Sequence, residues 1–286
     1  MLFRSKRFLN FSPALSVRYR ISENASLKFS YNVNHQYLHL LSNSISPFSS
    51  FEVWVPSGAH IKPQRAHQTA IGLNLYIPSA NLEIVPELYI KTMYNQLDYV
   101  PHAQLMLNPL LHNQIRFGTT RARGFELLLR RTEGRLTGWI SYTWSRVLSQ
   151  FDELNHGHEF PAFYDRPHDI SVFLNYHISR RVNISANWTL QSGSAITTPV
   201  GFFEFNDSMV PIYGARNNDR LPNYHRLDFA LTWRLNNPSS RFNHSINFGI
   251  YNFYNRHNPV SINFNKIETR KDRKSTRLNS SHGIIG

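Results

Sequence analysis

The amino-acid sequence predicts an all-β chain that forms a segment of a transmembrane, antiparallel, up-and-down β-barrel. Two observations predict this fold class. Apolar and polar residues alternate in about ten segments spread along the chain, and successive side chains of a strand point to opposite faces. Short turns between these segments alternate strictly with long connections, as in a barrel with short periplasmic turns and long extracellular loops. Unstructured connections of such length are uncommon in a compact soluble domain.

The predicted strands form five pairs, each joined by a short turn with the sequence SENA, PSAN, TEGR, SRR or NNPSSRF. In chain order, their apolar residues run from Leu15 to Ile21, Leu27 to Val33, Ile71 to Ile77, Leu82 to Ile90, Phe125 to Leu129, Leu136 to Trp144, Ile170 to Tyr176, Ile184 to Leu190, Leu227 to Leu235 and Ile246 to Ile250. The long connections run from Leu40 to Ala66, Asn95 to Gly118, Ser149 to His168 and Ser192 to Tyr224.

Proline interrupts one predicted strand, because Pro86 lies between Ile84 and Leu88. A proline has no backbone N–H to donate to the neighbouring strand. We therefore predict a β-bulge at Pro86.

The segment RLDFALTWRL, from Arg226 to Leu235, shows how the faces are assigned. Its apolar residues would meet lipid, and its polar residues would line an enclosed, hydrated interior. The polar faces of the predicted strands carry charges of both signs: Arg18, Arg20, Lys28, Glu83, Glu87, Lys91, Glu126, Arg130, Arg226, Asp228 and Arg234. Aromatic residues near strand ends fit girdles at the two bilayer interfaces: Tyr19, Tyr94, Trp144, Tyr251 and Tyr254.

Composition excludes several classes of protein. The 286 residues are 41% hydrophobic and 14% aromatic, which is too rich for a disordered chain. The sequence has no run of about 18 apolar residues and a mean hydropathy of -0.40, which excludes a helical membrane protein. It contains no cysteine, and hence no disulfide or thiolate site. The net charge of +13 is dispersed without a nucleic-acid-binding motif, so we predict no nucleic-acid partner.

The sequence offers two weak candidates for chemistry. In NHGHEF, the residues His156, His158 and Glu159 follow Asp152, but alternate residues of an extended loop project in opposite directions and no further ligand stands at a recognisable spacing. In RPHD, His168 precedes Asp169 without a serine nucleophile. We therefore predict no enzyme activity, no catalytic residue, no metal site and no cofactor, and we assign no ligand-binding residue.

Several segments, in the same order, resemble the barrel of TonB-dependent outer-membrane receptors, of the type whose plug follows a carboxypeptidase-regulatory-like domain. The resemblance extends from Phe11 to Lys266. The segments are NHQYLHLLSNS, FEVWVPSGAHIKPQRAHQ, GFELLLRRTEGRLTGWISYTWSRV, FPAFYDRPHDISVFLNY, WTLQSGSAITTP, YGARNNDRLPNYHRLDFALTW and NFGIYNFYNRHNP.

The resemblance implies a barrel of about 22 strands around a plug, of which this chain would hold about ten. We expect residues 1–10 to be the edge of a fragment, residues 11–267 to be a partial TonB-dependent receptor barrel without its last strand, and residues 268–286 to be a non-native tail. That tail contains DRKSTRLNSSH, which reads like a translated sequencing adapter. The signal peptide, TonB-contacting segment and plug would lie outside this chain.

The implied function is the uptake of a scarce siderophore, glycan or peptide across the cell outer membrane. The implied partners are the TonB energy-transducing complex, through the missing N-terminal part, outer-membrane lipid and lipopolysaccharide, and the ligand. The sequence leaves open whether a surface lipoprotein also binds. The nearest alternative to this function is a passive outer-membrane porin. A less favoured alternative is a soluble all-β ligand-binding protein, which would bury the face from Leu227 to Leu235.

Overall fold

The computed structural model describes residues 7–41, 53–100, 108, 110–205, 208–236, 242, 244–267 and 277–284. Its strands are β1 (Ala14–Ser22), β2 (Ala25–Gln36), β3 (Leu38–Leu41), β4 (Val53–Pro56), β5 (Gln64–Ile77), β6 (Leu82–Tyr99), β7 (Ile115–Arg131), β8 (Leu136–Gln150), β9 (Phe160–Pro161), β10 (His168–His177), β11 (Val182–Gln191), β12 (Ala195–Ile196), β13 (Pro199–Phe205), β14 (Ser208–Tyr213), β15 (Asp219–Arg220), β16 (Tyr224–Arg234), β17 (Ser245–Ile250), β18 (Pro259–Ile267) and β19 (Arg277–Ile284).

One antiparallel sheet dominates the structure. Ten strands pair in the order β1-β2-β5-β6-β7-β8-β10-β11-β16-β17. The short strand β9 also pairs with β8, past the point where β10 begins. Each step along this order joins strands that are also consecutive along the chain once the small hairpins are set aside, which is an up-and-down arrangement. These ten strands are the ten that the alternating sequence pattern predicts, so the predicted fold class is confirmed.

The ends of the sheet differ in their connections. At one end, here called the short-turn end, the links include Glu23 to Asn24, Pro78 to Asn81 and Thr132 to Arg135. At the other, the long-loop end, the connections contain small two-stranded sheets of their own: β3 with β4, β12 with β15, and β13 with β14. The predicted alternation of short and long connections is confirmed.

The strands β6, β7 and β8 are longer than the sequence pattern predicts. They contain 18, 17 and 15 residues, whereas a strand needs about 9 to 11 to cross a bilayer. The predicted connection from Asn95 to Gly118 is therefore wrong at both of its ends, because β6 continues to Tyr99 and β7 already begins at Ile115. Asn95 forms a bulge with a positive φ of 57°, and this bulge shifts the alternation by one residue.

The bulge predicted at Pro86 is wrong. Pro86 stays in register opposite Leu127 of β7. On the side of β5, Gly72 pairs with Glu87 and Leu75 pairs with Ile84 in the same register. The two residue pairs that would lie between them are not bonded. The strand therefore tolerates the missing N–H by losing contacts on one side rather than by changing its register.

The pairing registers separate the side chains into two faces. Arg18, Lys28, Glu87 and Glu126 share one face through successive cross-strand pairs. All eleven charged residues assigned to the polar face by the sequence pattern lie on this face, here called the inner face. Residues such as Leu88, Phe125 and Leu227 lie on the opposite, outer face.

Burial is reversed relative to a soluble sheet. On the outer face, Leu88 and Ile90 are 56% and 66% exposed, whereas Ala70 and Ala122 on the inner face are 4% and 7% exposed. The buried residues Ala122 and Val147 of the inner face pack with Ala162 from the connection between β8 and β10. A chain segment therefore covers part of the polar face, while Leu88 and Ile90 of the apolar face are open.

The remaining elements are small. Three 3₁₀ turns span Pro78–Ala80, Leu111–Asn113 and Asn155–Gly157, and none of the helices among the described residues has the length and apolar character to cross a membrane. The strands β18 and β19 form a separate two-stranded sheet. Residues 1–6, 268–276 and 285–286 of the predicted terminal segments lie outside the described residues, so the predicted boundaries at 10 and 267 stay predictions.

Candidate functional site

The inner face carries a continuous row of polar residues across the sheet. Cross-strand pairs connect Arg18, Lys28, Gly72, Glu87, Glu126, Thr143, Asp169, Gln191 and Tyr224 in that order. Two basic residues oppose each other at one end, and Glu87 opposes Glu126 nearby. Since like charges directly opposite are unfavourable, this inner row is suited to a partner that carries charges of both signs.

Two other inner-face charges are paired within the chain. Arg130 donates from Nε to Glu83 at 2.8 Å, and Arg226 donates from Nε to Asp228 at 3.0 Å. These pairs are partly exposed, so each contributes little to stability. Their main effect is to hold long side chains against the wall.

A buried ion pair closes part of the long-loop end. Arg216, in the connection between β11 and β16, donates from Nη2 to Asp98 at 2.6 Å and from Nη1 to the Tyr99 carbonyl at 3.1 Å. Tyr99 is the last residue of β6, and β7, β8 and β10 lie between β6 and β11 in the sheet. The connection therefore reaches back across several strands on the inner side.

A second ion pair fixes the same connection to the wall. Asp165 is fully buried and accepts from the backbone N–H of Val147 at 2.6 Å. Arg220 forms an ion pair with the Asp165 carboxylate and donates from Nη1 to its backbone carbonyl at 2.6 Å. Asn217, between the two arginines, donates from Nδ2 to the Pro161 carbonyl at 2.7 Å. We call Asp98, Asp165, Arg216, Asn217 and Arg220 the mouth network.

Burial changes the acid–base properties of the network. Asp98 and Tyr99 lie past the Asn95 bulge, beyond the roughly 11 residues that cross a bilayer. Burial raises the pKa of the Asp98 carboxyl, although the Arg216 guanidinium and the Tyr99 backbone N–H oppose the shift. Burial and the neighbouring Asp98 also raise the pKa of the Tyr99 hydroxyl. Asp98 is stabilised as a carboxylate mainly by its contacts with Arg216, so the two residues depend on each other.

A small cavity of about 100 Å³ lies beside the network, with Asp98, Thr120, Phe160, Tyr164 and Asn217 among its lining residues. Pockets that enclose small ligands usually measure about 300 to 1,000 Å³. The long connections therefore narrow this part of the mouth, whereas a larger cavity of about 370 Å³ at the same end has Gln36, Lys91 and Gln96 among its lining residues.

The residues of the NHGHEF segment do not converge. Asp152, His156, His158 and Glu159 are all exposed. Glu159 accepts a hydrogen bond from Arg121 Nη1 at 2.7 Å and forms an ion pair with it, and His156 lies in a 3₁₀ turn with φ of 56°. Within the described part of the chain, no group of three or more His, Asp or Glu residues could hold a metal ion.

The RPHD residues also separate. His168 lies on the outer face opposite Trp144, and Asp169 lies on the inner face opposite Thr143. His168 Nδ1 is 3.0 Å from the Tyr142 hydroxyl, and the Asp169 carboxylate accepts from Gln191 Nε2 at 2.8 Å. The two side chains therefore cannot act together as a catalytic pair.

Sequence reasoning missed the mouth network. Arg216 and Arg220 belong to the quoted segment YGARNNDRLPNYHRLDFALTW, which supported a family resemblance but received no structural role. Their partners are remote in the chain, since Arg216 and Asp98 are separated by 118 positions. The available signal was the presence of two arginines in one long connection and of acidic residues in two others.

Comparison with known proteins identifies the fold. The family model described as TonB dependent receptor-like, beta-barrel matches residues 3–253. A search of curated proteins found no match.

Three solved structures illustrate the similarity. The closed form of the ferric-catecholate import receptor Fiu from E. coli has a TM-score of 0.58 and 15% identity, over 95% of this chain and 33% of that chain. The outer-membrane ferripyoverdine receptor of Pseudomonas aeruginosa, bound to ferripyoverdine, has a TM-score of 0.60 and 12% identity, over 88% and 30%. The unliganded ferric citrate transporter FecA has a TM-score of 0.55 and 14% identity, over 96% and 36%.

At these identities the similarity shows the fold alone, and the chain spans about a third of the length of each structure. The family match, by contrast, covers most of the chain. The apolar outer face, the polar inner face and the alternating connections are the features that such a barrel requires. The chain therefore belongs to the TonB-dependent receptor-like β-barrel family, a family of outer-membrane transport receptors and not of enzymes.

Proposed function

We propose that this chain forms part of the barrel wall and extracellular mouth of a receptor that takes up a scarce ligand into the periplasm. The ligand would be a siderophore, a glycan fragment or a peptide. The TonB complex would act through a plug encoded outside this segment. The observation that carries the proposal is the mouth network, which holds a long connection across the inner face of the described strands.

The inner row supports a plugged barrel over a passive porin. Arg18 and Lys28 present two adjacent cations, and Glu87 and Glu126 present two adjacent carboxylates, without compensating partners on the same wall among the described residues. A folded plug with complementary charges would neutralise both groups. Water alone would solvate them at a cost in cross-strand repulsion.

The mouth network supports a two-step uptake. Extracellular connections capture the ligand when the cover opens, and polar groups of the lumen then hold it. The cavity of about 370 Å³ lined by Gln36, Lys91 and Gln96 is large enough for a small ligand and lies on the lumen side of these connections. A TonB-driven change in the plug would release the ligand inward.

The experiment compares two kinds of transport by the full-length receptor that contains this segment. Uptake of radiolabelled ferric citrate, a ferric catecholate, an oligosaccharide mixture and a peptide mixture is measured in cells with and without TonB. We expect uptake of at least one probe class to require TonB, and we expect no sugar-driven swelling of liposomes that contain the receptor. Liposome swelling with small sugars, together with TonB-independent uptake, would identify a porin and refute the proposal.

A further inference from the structure

The cavity of about 370 Å³ on the inner face is lined mainly by uncharged polar side chains. Four of them are carboxamides: Asn34 and Gln36 of β2, Gln64 of β5 and Gln96 of β6. The register pairs Gln36 with Gln64, and one inner-face step further into the lumen it pairs Asn34 with the small Ala66. Amides of neighbouring strands therefore lie side by side at the long-loop end. We call this cavity the amide pocket.

The β-bulge of β6 brings Gln96 into the pocket. Tyr94 faces outward, and an unbroken alternation would turn Gln96 outward as well. The extra residue Asn95 shifts the alternation, so Gln96 faces inward opposite Gly118. Asn95 also donates from Nδ2 to the Pro63 carbonyl at 2.8 Å, which fixes the connection between β4 and β5 to this edge of the pocket.

Hydrogen bonds orient two of the amides. Asn34 donates from Nδ2 to Asn32 Oδ1 at 2.9 Å, and Gln36 donates from Nε2 to the Leu38 carbonyl at 2.7 Å. A carboxamide has two N–H donors and a carbonyl acceptor. Each of these bonds therefore holds a side chain in place while using only one of its donors.

One ammonium group enters the amide pocket from the inner face. Lys91 of β6 lies between Gln68 and Ala122, and no lining residue of the pocket is acidic. Arg65 also borders the cavity, but its side chain lies on the outer face, 5.0 Å from the Tyr94 ring centroid. The pocket therefore offers a ligand one positive charge and several neutral donors and acceptors.

An aromatic ring borders the same cavity. Tyr164, in the connection between β8 and β10, lines the amide pocket and is 56% exposed. Backbone bonds fix the residues around it, since the Ala162 N–H donates to the Val147 carbonyl at 2.9 Å and the Asp165 N–H donates to the Ala162 carbonyl at 2.9 Å. The wall therefore holds Tyr164 at the pocket while much of its ring stays accessible.

These features separate three classes of ligand. Sugar hydroxyl groups both donate and accept hydrogen bonds and so match carboxamides, and the C–H face of a sugar ring can pack on an aromatic ring. A peptide with a free ammonium group needs a carboxylate, which the pocket lining lacks. A ferric chelate with several negative charges would be desolvated against a single ammonium group.

We propose that the amide pocket binds an oligosaccharide that carries a carboxylate, as in a uronic acid. Its hydroxyl groups bond to the carboxamides, one sugar ring packs on Tyr164, and the carboxylate pairs with Lys91. The inference rests on the proposed uptake function and narrows its ligand to acidic glycans.

The test measures binding to the purified full-length receptor in detergent by isothermal titration calorimetry. The probes are uronic-acid oligosaccharides from pectin and alginate, the same oligosaccharides with their carboxyl groups reduced to alcohols, ferric citrate and a peptide mixture. We expect wild type to bind at least one acidic oligosaccharide about tenfold or more tightly than its reduced form, because a hydrogen bond to a charged group is strong.

Two lysine variants test the charge. Lys91→Gln should remove the preference for the acidic form and leave the affinity for the reduced form within about twofold. Lys62→Gln is the matched control, because Lys62 is an exposed lysine at the same end and is not among the lining residues. It should keep the preference.

Two tyrosine variants test the ring. Tyr164→Leu should weaken binding of both forms about fivefold or more, whereas Tyr164→Phe should keep both affinities within about twofold because the ring remains. Heat-modifiable migration in gels reports the assembly of each variant. If a variant does not assemble, the comparison of the acidic and reduced probes on wild type decides.

Three results would overturn the inference: equal affinity of wild type for the acidic and reduced forms, no binding of either, or an unchanged preference in an assembled Lys91→Gln receptor. Binding of ferric citrate or of peptides in place of the oligosaccharides would also overturn it and would leave the proposed uptake standing. The uptake itself is decided separately, by its dependence on TonB and by liposome swelling.

Discussion

Replacing Val172 by arginine should destabilise the barrel far more than the same change at the adjacent Ser171. Both residues lie near the centre of β10, which runs from His168 to His177. Val172 faces outward between Ile140 and Trp188, and Ser171 faces inward between Ser141 and Thr189. The two variants therefore introduce one charge at nearly the same depth but on opposite faces.

The magnitude follows from the position. An arginine on the lipid face near the bilayer midplane costs about 2 to 4 kcal/mol, which lowers the folding equilibrium constant roughly 30-fold to several-hundred-fold. At Ser171 the new side chain enters a polar lumen, and we expect a change below about 1 kcal/mol. The free energy of unfolding of the full-length receptor in lipid vesicles is measured by guanidinium titration with tryptophan fluorescence. Equal losses at the two positions, or a larger loss at Ser171, would refute the assigned facing.

Three further changes test individual contacts. Gly138→Ala should prevent assembly or lower the free energy of unfolding by more than about 3 kcal/mol, because φ of Gly138 is 144° and a Cβ there would lie 2.1 Å from the Phe173 carbonyl oxygen. Gly58→Ala is the control, since a Cβ at Gly58 would have no atom within 4 Å. Normal heat-modifiable migration of the Gly138 variant would contradict the backbone geometry. Asp98→Asn should leave Arg216 buried without its carboxylate and cost about 3 to 5 kcal/mol of local stability, seen as faster hydrogen exchange at residues 214–223. The exposed Asp152→Asn should leave this exchange unchanged, and identical exchange in both variants would show that this ion pair does not hold the connection. Asp165→Ala should increase proteolysis of the connection between β11 and β16, because Val147 and Arg220 lose a buried partner. The exposed Asp152→Ala should leave proteolysis unchanged. Equal proteolysis of the two variants would contradict the role of Asp165 in fixing this connection.

The ten main strands could be predicted because a period of two residues repeats in each of them. Leu227, Phe229 and Leu231 alternate with Asp228 and Ala230, and this pattern does not depend on distant contacts. The extension of β6 could not be predicted in the same way. The Asn95 bulge moves the outward positions from Ile90 and Tyr94 to Leu97 and Tyr99, so the alternation is broken where the strand continues.

The hairpins in the long connections were also beyond the sequence pattern. The strands β3 and β4 contain four residues each, which is too short for a reliable periodic signal. The mouth network depends on contacts such as Arg216 with Asp98 and Arg220 with Asp165, and no local pattern specifies which remote carboxylate each arginine meets. The facing of each strand could thus be predicted, but the site at the mouth required the folded chain.

The most direct test of the central claim is spin-label accessibility along β10, since this chain contains no native cysteine. Single cysteines are placed from Asp169 to Leu174 of the full-length receptor in lipid vesicles, and collisions with oxygen and with a water-soluble nickel chelate are measured at each. We predict that labels at 170, 172 and 174 favour oxygen and that labels at 169, 171 and 173 favour nickel. The opposite phase, or no alternation at all, would contradict an apolar face in lipid and a polar face in the lumen.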